Sequence, residues 1–221
     1  MRSILKYAVL AVFCSLFMMQ SVAVAQDKST QSGKPEKAEK TEKVEKTEKT
    51  IDGLAPVTLK DLIVEFPEVE GWERSEIQKY PTEELGFSIN YESKQGGRVT
   101  IYVYNGGKKN IPDGSSDKII KDELMNAKNE IRRTADMGYY ENLKELKNET
   151  VTLGGESGKV KALRTLYNFS AGNTDLTSEI YIFGHQNRFI KIRATRPKET
   201  GETGNKMVEN LLAEVAAMFS N

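Results

Sequence analysis

Two amphipathic helical segments, set apart by strand-like sequence, constrain the fold of this chain more than any other feature. The first has one apolar face made of Ile120, Leu124, Ala127 and Ile131. It is predicted to begin with Ser115 or Ser116 as N-cap and Asp117 in the first turn, and to end near 137–138. The second, over residues 205–219, has the corresponding apolar stripe of Met207, Leu211, Val215 and Met218.

Strand-like segments fill the sequence before and between the helices. They cover residues 71–80, 85–93, 97–105, 142–152, 159–169, 176–183 and 188–196. The second and third flank Lys94-Gln95-Gly96, which is typical of a hairpin. Consecutive strands without intervening helices pair through hairpins. The order β-β-β-α-β-β-β-β-α therefore predicts an α+β fold, an antiparallel sheet of about six to seven strands with helices packed on it.

The segment 97–105 is predicted to be a strand that is covered on both sides. Val99, Ile101 and Val103 share one face of the strand, and the other face is also largely apolar, with Tyr102 and Tyr104. A strand with two apolar faces is typical of a sheet that is buried on both sides.

The first 25 residues predict a signal peptide. Arg2 and Lys6 form a basic start, residues 7–19 are an apolar run, and 23–25 fit a small-residue cleavage site before Gln26. Small and polar residues follow the apolar run at once, so no stable membrane span is expected after cleavage. The chain is thus predicted to be exported, to a bacterial periplasm or out of the cell.

Residues 26–50 predict a charged, low-complexity tether, and residues 51–221 a single α/β domain. From Glu36 to Thr50 the tether repeats Glu-Lys-x with almost no apolar residue, which favours a disordered segment. Its Glu–Lys pairs at i,i+4 would support transient helix within that segment, and they leave a helical tether as the alternative.

Composition excludes several classes of function. With 32 basic and 32 acidic residues the formal net charge is zero, so nucleic acid is not an expected partner. Cys14 and His185 are the only residues of their types, which excludes a Cys/His zinc site and an intrachain disulfide. No motif indicates a cofactor.

The order of elements, the early Gly71-Trp72 strand and the late strand "RFIKIRATRP" before a terminal helix resemble the PsbP-like fold. The resemblance covers roughly residues 57–220 and implies an α/β/α sandwich. Proteins of that fold include photosystem II extrinsic subunits, a Ran-binding nuclear-import factor and bacterial envelope proteins. The resemblance implies a binding or accessory module, and it assigns no residue a role.

The strand "RFIKIRATRP", residues 188–197, supplies the candidate binding residues. A three-residue hairpin loop at 184–186 would place Glu179 opposite Lys191 and Thr177 opposite Arg193. Arg193 and Arg196 would then remain near the strand end, where a helix layer leaves the sheet uncovered. The candidate binding residues are Lys191, Arg193, Arg196, Glu179 and Tyr181.

Three functions are consistent with these features. The first is an exported accessory protein that binds an envelope protein. The second is a small-molecule or polymer-binding protein with a cleft on the sheet face. The third is a carboxylate-dependent hydrolase using Glu83, Glu84 or His185, although adjacent carboxylates and a histidine in a turn are more typical of exposed side chains. No catalytic constellation is evident, so an enzyme is the least expected of the three.

Overall fold

A computed structural model describes residues 66–154 and 159–220, and these form an antiparallel sheet with two helices packed on it. The predicted signal peptide and tether lie outside the described residues. The eight strands are β1 (Trp72–Arg74), β2 (Gln78–Lys79), β3 (Phe87–Ser93), β4 (Arg98–Tyr104), β5 (Glu141–Leu153), β6 (Val160–Ala171), β7 (Thr174–His185) and β8 (Arg188–Pro197). They lie in the order β1-β3-β4-β8-β7-β6-β5, and β2 also pairs with β3. The predicted α+β fold and its order of elements are confirmed.

The predicted first strand at 71–80 is two short strands, β1 and β2. Between them Ser75 interrupts the ladder, because its hydroxyl donates a hydrogen bond to the carbonyl of Glu76 and accepts one from the backbone N–H of Asn90. A serine side chain that bonds to the backbone competes with regular strand pairing. The sheet therefore has one more strand than the upper end of the predicted range.

The helices are α1 (Lys118–Asp136) and α2 (Gly201–Ala217), and a short 3-10 turn at Lys198–Thr200 leads into α2. The predicted apolar face of α1 is buried along its whole length. In α2, Val208, Leu211, Leu212 and Val215 are buried, whereas Met207 and the C-cap residue Met218 are half-buried. Helical periodicity therefore located both helices and their buried faces.

Asp117, and not Ser115 or Ser116, caps α1. Its carboxylate accepts a hydrogen bond of 2.8 Å from the backbone N–H of Ile119, while Ser115 is buried. The predicted start was one or two residues too early, since all three residue types are good N-caps.

Asp117→Ala is expected to lower the free energy of unfolding by about 1 kcal/mol, because it leaves a helix N-terminal donor without its acceptor. Urea denaturation measures the change. Ser116→Ala is the matched control and should have no effect. Equal losses in the two variants would contradict this assignment of the cap.

The two helices lie on opposite faces of the sheet. Val99, Ile101 and Val103 of β4 pack in a core with Leu211 and Val215 of α2. On the other face, Tyr104 donates a hydrogen bond to Glu123 of α1. Residues 99–104 are all buried, so the prediction of a strand covered on both sides is confirmed. We call the two sides of the sheet the α1 face and the α2 face.

Candidate functional site

The loop between β7 and β8 decides which face carries the candidate charges, and it has two residues instead of the predicted three. Gln186 and Asn187 both have positive φ, at 47° and 60°, as a tight two-residue hairpin turn requires. Partners from residues 111–113 hold the turn: Gln186 N–H donates to Asp113 Oδ1 at 2.7 Å, and Asn187 Oδ1 accepts from Ile111 N–H at 2.8 Å.

The resulting register makes the predicted cross-strand pairs wrong. Glu179 lies opposite Ala194 and not Lys191, and Thr177 lies opposite Arg196 and not Arg193. The register differs from the predicted one by an odd number of residues. A shift of this kind places the expected cross-strand partners on opposite faces of the sheet. Glu179 therefore lies on the α2 face with Arg196.

Glu179 is held between two arginines. Its Oε1 accepts a hydrogen bond from Arg164 Nη2, and its Oε2 accepts one of 3.1 Å from Arg196 Nη1. The Glu179 and Arg196 side chains are only 4% and 6% exposed, which makes this a buried ion pair. Asn205 of α2 accepts from Arg196 Nε at 3.0 Å and from Nη2 at 2.5 Å, so the helix orients this guanidinium.

Arg193 and Arg196, the two cations expected to remain near the strand end, lie on opposite faces of the sheet. Arg193 Nη2 donates a hydrogen bond of 2.8 Å to the Tyr140 hydroxyl on the α1 face. Lys191 lies on that face too, with its Nζ 4.9 Å from the centre of the Tyr102 ring and 3.7 Å from Glu130 of α1. Lys191 and Arg193 thus join the sheet to the residues of the α1 layer.

A cleft of about 540 Å³ opens on the α2 face above β5, β6, β7 and β8. Its other walls are the 3-10 turn and the first part of α2. Three of the candidate residues, Glu179, Tyr181 and Arg196, line it together with Arg164. Its volume lies within the usual range of small-molecule sites, about 300–1,000 Å³. We call this space the sheet cleft.

Tyr181 is buried in the floor of the sheet cleft. Burial raises the pKa of its hydroxyl well above the usual value, and the neighbouring Glu179 carboxylate raises it further. The Arg164 guanidinium lies 5.9 Å from the centre of the Tyr181 ring. Tyr181 is therefore a neutral phenol at physiological pH, suited to hydrogen bonding and ring contact.

Two residues of this cluster, Arg164 and Asn205, were missed by sequence reasoning. The two-residue turn at 172–173 sets the register that places Arg164 opposite Tyr181. The Gly172-Asn173 dipeptide between two strand-like runs was the available signal for Arg164. Asn205 had no comparable signal, because its contact depends on where α2 crosses the sheet.

His185 is buried at the end of β7, whereas an exposed turn residue was expected. Its ring packs edge-on against Phe219 with ring centres 5.3 Å apart, and only 7% of the residue is exposed. Burial lowers the pKa of His185 below its usual value, although nearby Asp113 acts in the opposite direction. His185 is buried because the hairpin loop has only two residues, which keeps residue 185 in the strand with its side chain on the α2 face.

Stability is expected to fall as the pH is lowered from 7 to 5. The folded state prefers neutral His185. The contribution of this residue to stability is therefore fully present above the unfolded pKa of about 6.5, and it is lost as the pH falls through the lower folded pKa. The slope should not exceed about 1.4 kcal/mol per pH unit. His185 is the only histidine, so His185→Gln should flatten the profile in urea denaturation series. An unchanged slope in the variant would contradict this origin.

Glu83 and Glu84 are exposed in the turn before β3. The contacts described for residues 66–154 and 159–220 do not join either of them to His185. Within the same residues, no group of three or more His, Cys, Asp and Glu side chains is arranged to hold a metal ion. Nor is either helix of the described chain long and apolar enough to span a bilayer.

No family model matches the chain, and no curated protein matches it. Among solved structures it is similar to the solution structure of cyanobacterial PsbP (CyanoP) from Synechocystis sp. PCC 6803, at 10% identity and a TM-score of 0.41, over 65% of this chain and 79% of that one. It is also similar to CalU16 from Micromonospora echinospora, at 10% identity and a TM-score of 0.24, over 68% of this chain and 92% of that one. A PsbP is thus among the structures that the chain resembles, as its order of elements suggests. Likenesses this distant carry no information about function.

Proposed function

We propose that this chain is an exported binding protein and that the sheet cleft is its binding site. The observation that carries the proposal is the cleft itself, which combines a volume of about 540 Å³ with charged groups that are already oriented by Glu179 and Asn205. Pre-oriented polar groups in a largely formed pocket are typical of ligand sites. Export, to a periplasm or beyond, is proposed from the signal-like first 25 residues.

The contacts of the polar cluster favour binding over catalysis. Both oxygens of Glu179 accept hydrogen bonds from arginines, so this carboxylate is engaged in charge pairing. His185, the only imidazole, packs against Phe219. If the occupant of the cleft is a segment of an envelope protein, the proposed binding protein is also an accessory protein.

Co-purification tests the proposal. The full chain would be isolated from the cells that produce it, denatured, and its released small molecules and peptides identified by mass spectrometry. Thr177→Trp places an indole in the cleft, since the half-buried Thr177 lines it. Thr150→Trp is the matched control, on an exposed position of β5 that faces the α1 side.

We expect one dominant occupant in the wild type and in Thr150→Trp, and its loss from Thr177→Trp. An occupant that survives Thr177→Trp, or the absence of any occupant from all three proteins, would contradict the proposal.

A further inference from the structure

Apart from Arg164 of β6, which is held in ion pairs with Glu149 and Glu179, the lining of the sheet cleft has an apolar part and a cationic part. Apolar side chains come from β5, β6 and α2, and they are Leu146, Val151, Leu153, Leu166 and Leu212. The cations Arg196 and Lys198 lie where β8 ends and the 3-10 turn begins. One side of the cleft thus matches the apolar part of an amphiphilic ligand, and the other side matches an anionic head group.

The two parts are separated by the width of the sheet. In the sheet, β6 and β7 lie between β5 and β8, and neighbouring strands lie about 4.8 Å apart. The distance across the cleft from β5 to β8 is therefore about 14 Å. A compact ion would contact the cationic part alone. An elongated ligand is required to contact both.

The cationic part still has hydrogen-bond donors and positive charge with which to bind an anion. Arg196 directs Nε and one N–H of each terminal nitrogen to Asn205 and Glu179, which leaves two of the five guanidinium N–H groups. Lys198 is exposed and makes no ion pair with any residue of the described chain. The charged side chains that line the cleft are three cations, Arg164, Arg196 and Lys198, and two anions, Glu179 and Glu209, so the lining carries one net positive charge.

From this arrangement we infer that the occupant of the sheet cleft is a linear alkyl carboxylate. Its alkyl chain lies along Leu146 and Leu166, and its carboxylate meets Lys198 and the remaining N–H groups of Arg196. The inference rests on the proposed function and specifies the chemical class of its ligand. Burial of the chain supplies affinity, and the charged hydrogen bonds fix the orientation.

Isothermal titration calorimetry with the full chain tests the ligand class, with decanoate as the probe below its micelle concentration. Each methylene removed from a buried alkyl chain should weaken binding about fourfold, so octanoate binds about fifteenfold more weakly. Decanol keeps the chain and loses the charge, and it should bind at least tenfold more weakly. Decylammonium, of the opposite charge, should bind more weakly than decanol.

Exposed positions allow the site to be altered without disturbing the core. Leu146→Ser and Lys198→Gln should each weaken decanoate binding about tenfold. Glu209→Gln should strengthen it, because Glu209 is an exposed carboxylate on the wall of the same cleft.

The controls come from a smaller depression on the α1 face, of about 320 Å³, which Lys121 and Met125 line. Met125 is 49% exposed and Leu146 44%, so the two are closely matched. Met125→Ser and Lys121→Gln should leave binding unchanged.

Equal binding of decanoate and decanol would overturn the inference, as would loss of binding in Met125→Ser but not in Leu146→Ser. Absence of decanoate binding would also overturn it. In each case the proposed function stands if Thr177→Trp still loses the co-purified occupant. The two proposals can therefore fail separately.

Discussion

Glu179→Gln is expected to lower the free energy of unfolding by about 3–5 kcal/mol, because removing one partner of a buried ion pair leaves an uncompensated buried charge. The affected charge is the Arg196 guanidinium, whose side chain is 6% exposed. For a domain of this size the unfolding midpoint should fall by on the order of 10 °C. Thermal and urea denaturation followed by circular dichroism measure both quantities.

Glu149→Gln is the matched control, because Glu149 pairs with the same Arg164, at 3.0 Å, but near the surface. It should leave the midpoint almost unchanged, since surface pairs are screened by solvent. In the double variant Glu179→Leu/Arg196→Leu, much of the lost stability should return, because no charge is then left buried. Equal losses in Glu179→Gln and Glu149→Gln would contradict the buried cluster.

Gly86→Ala is expected to lower the free energy of unfolding by about 2–5 kcal/mol through two separate effects. Gly86 has a φ of 63°, a left-handed conformation that is costly for a residue with a Cβ atom. A Cβ atom there would also lie 1.9 Å from the carbonyl oxygen of Val103 in β4, so the turn before β3 would have to move away from the sheet.

Gly172→Ala separates the two effects. Gly172 has a similar φ of 58°, but a Cβ atom there meets nothing within 4 Å. Gly172→Ala should lower the free energy of unfolding by the backbone cost alone, about 1–2 kcal/mol. Urea denaturation of the two variants should therefore differ by about 1–3 kcal/mol, the cost of the clash with β4. If the two losses were equal, the close approach at Gly86 would be refuted.

The elements that the sequence predicts well are those with a local periodic signal. The face of α1 from Ile120 to Ile131 and the hairpin around Lys94-Gln95-Gly96 depend on side-chain spacing and turn composition within a few residues. Ser75 shows the limit of such signals, because one hydroxyl that bonds to the backbone divides a predicted strand in two.

The candidate site depended on a loop that was predicted one residue too long. "GHQN" contains a glycine, which suggested a loop starting at Gly184, but Gly184 lies within β7 and pairs with Phe189. The polar pair Gln186-Asn187 forms the turn instead, with Asp113 and Ile111 as distant partners. Contacts across more than seventy residues cannot be inferred from the loop itself.

The sheet cleft was predictable only in outline. A region of uncovered sheet near the end of β8 was expected, and Arg196, Glu179 and Tyr181 do line a cleft there. Its walls depend on the position of α2, and its electrostatics on Arg164 and Asn205. These are tertiary relations without a local sequence signal.

Amide chemical-shift mapping tests the central claim most directly. The full chain, labelled with ¹⁵N, would be titrated with decanoate. The account predicts saturable shifts that are largest at Leu166, Thr177 and Arg196, which line the sheet cleft, and small shifts at Lys121 and Met125 on the α1 face. Shifts concentrated on α1, or the absence of any saturable shift, would contradict it.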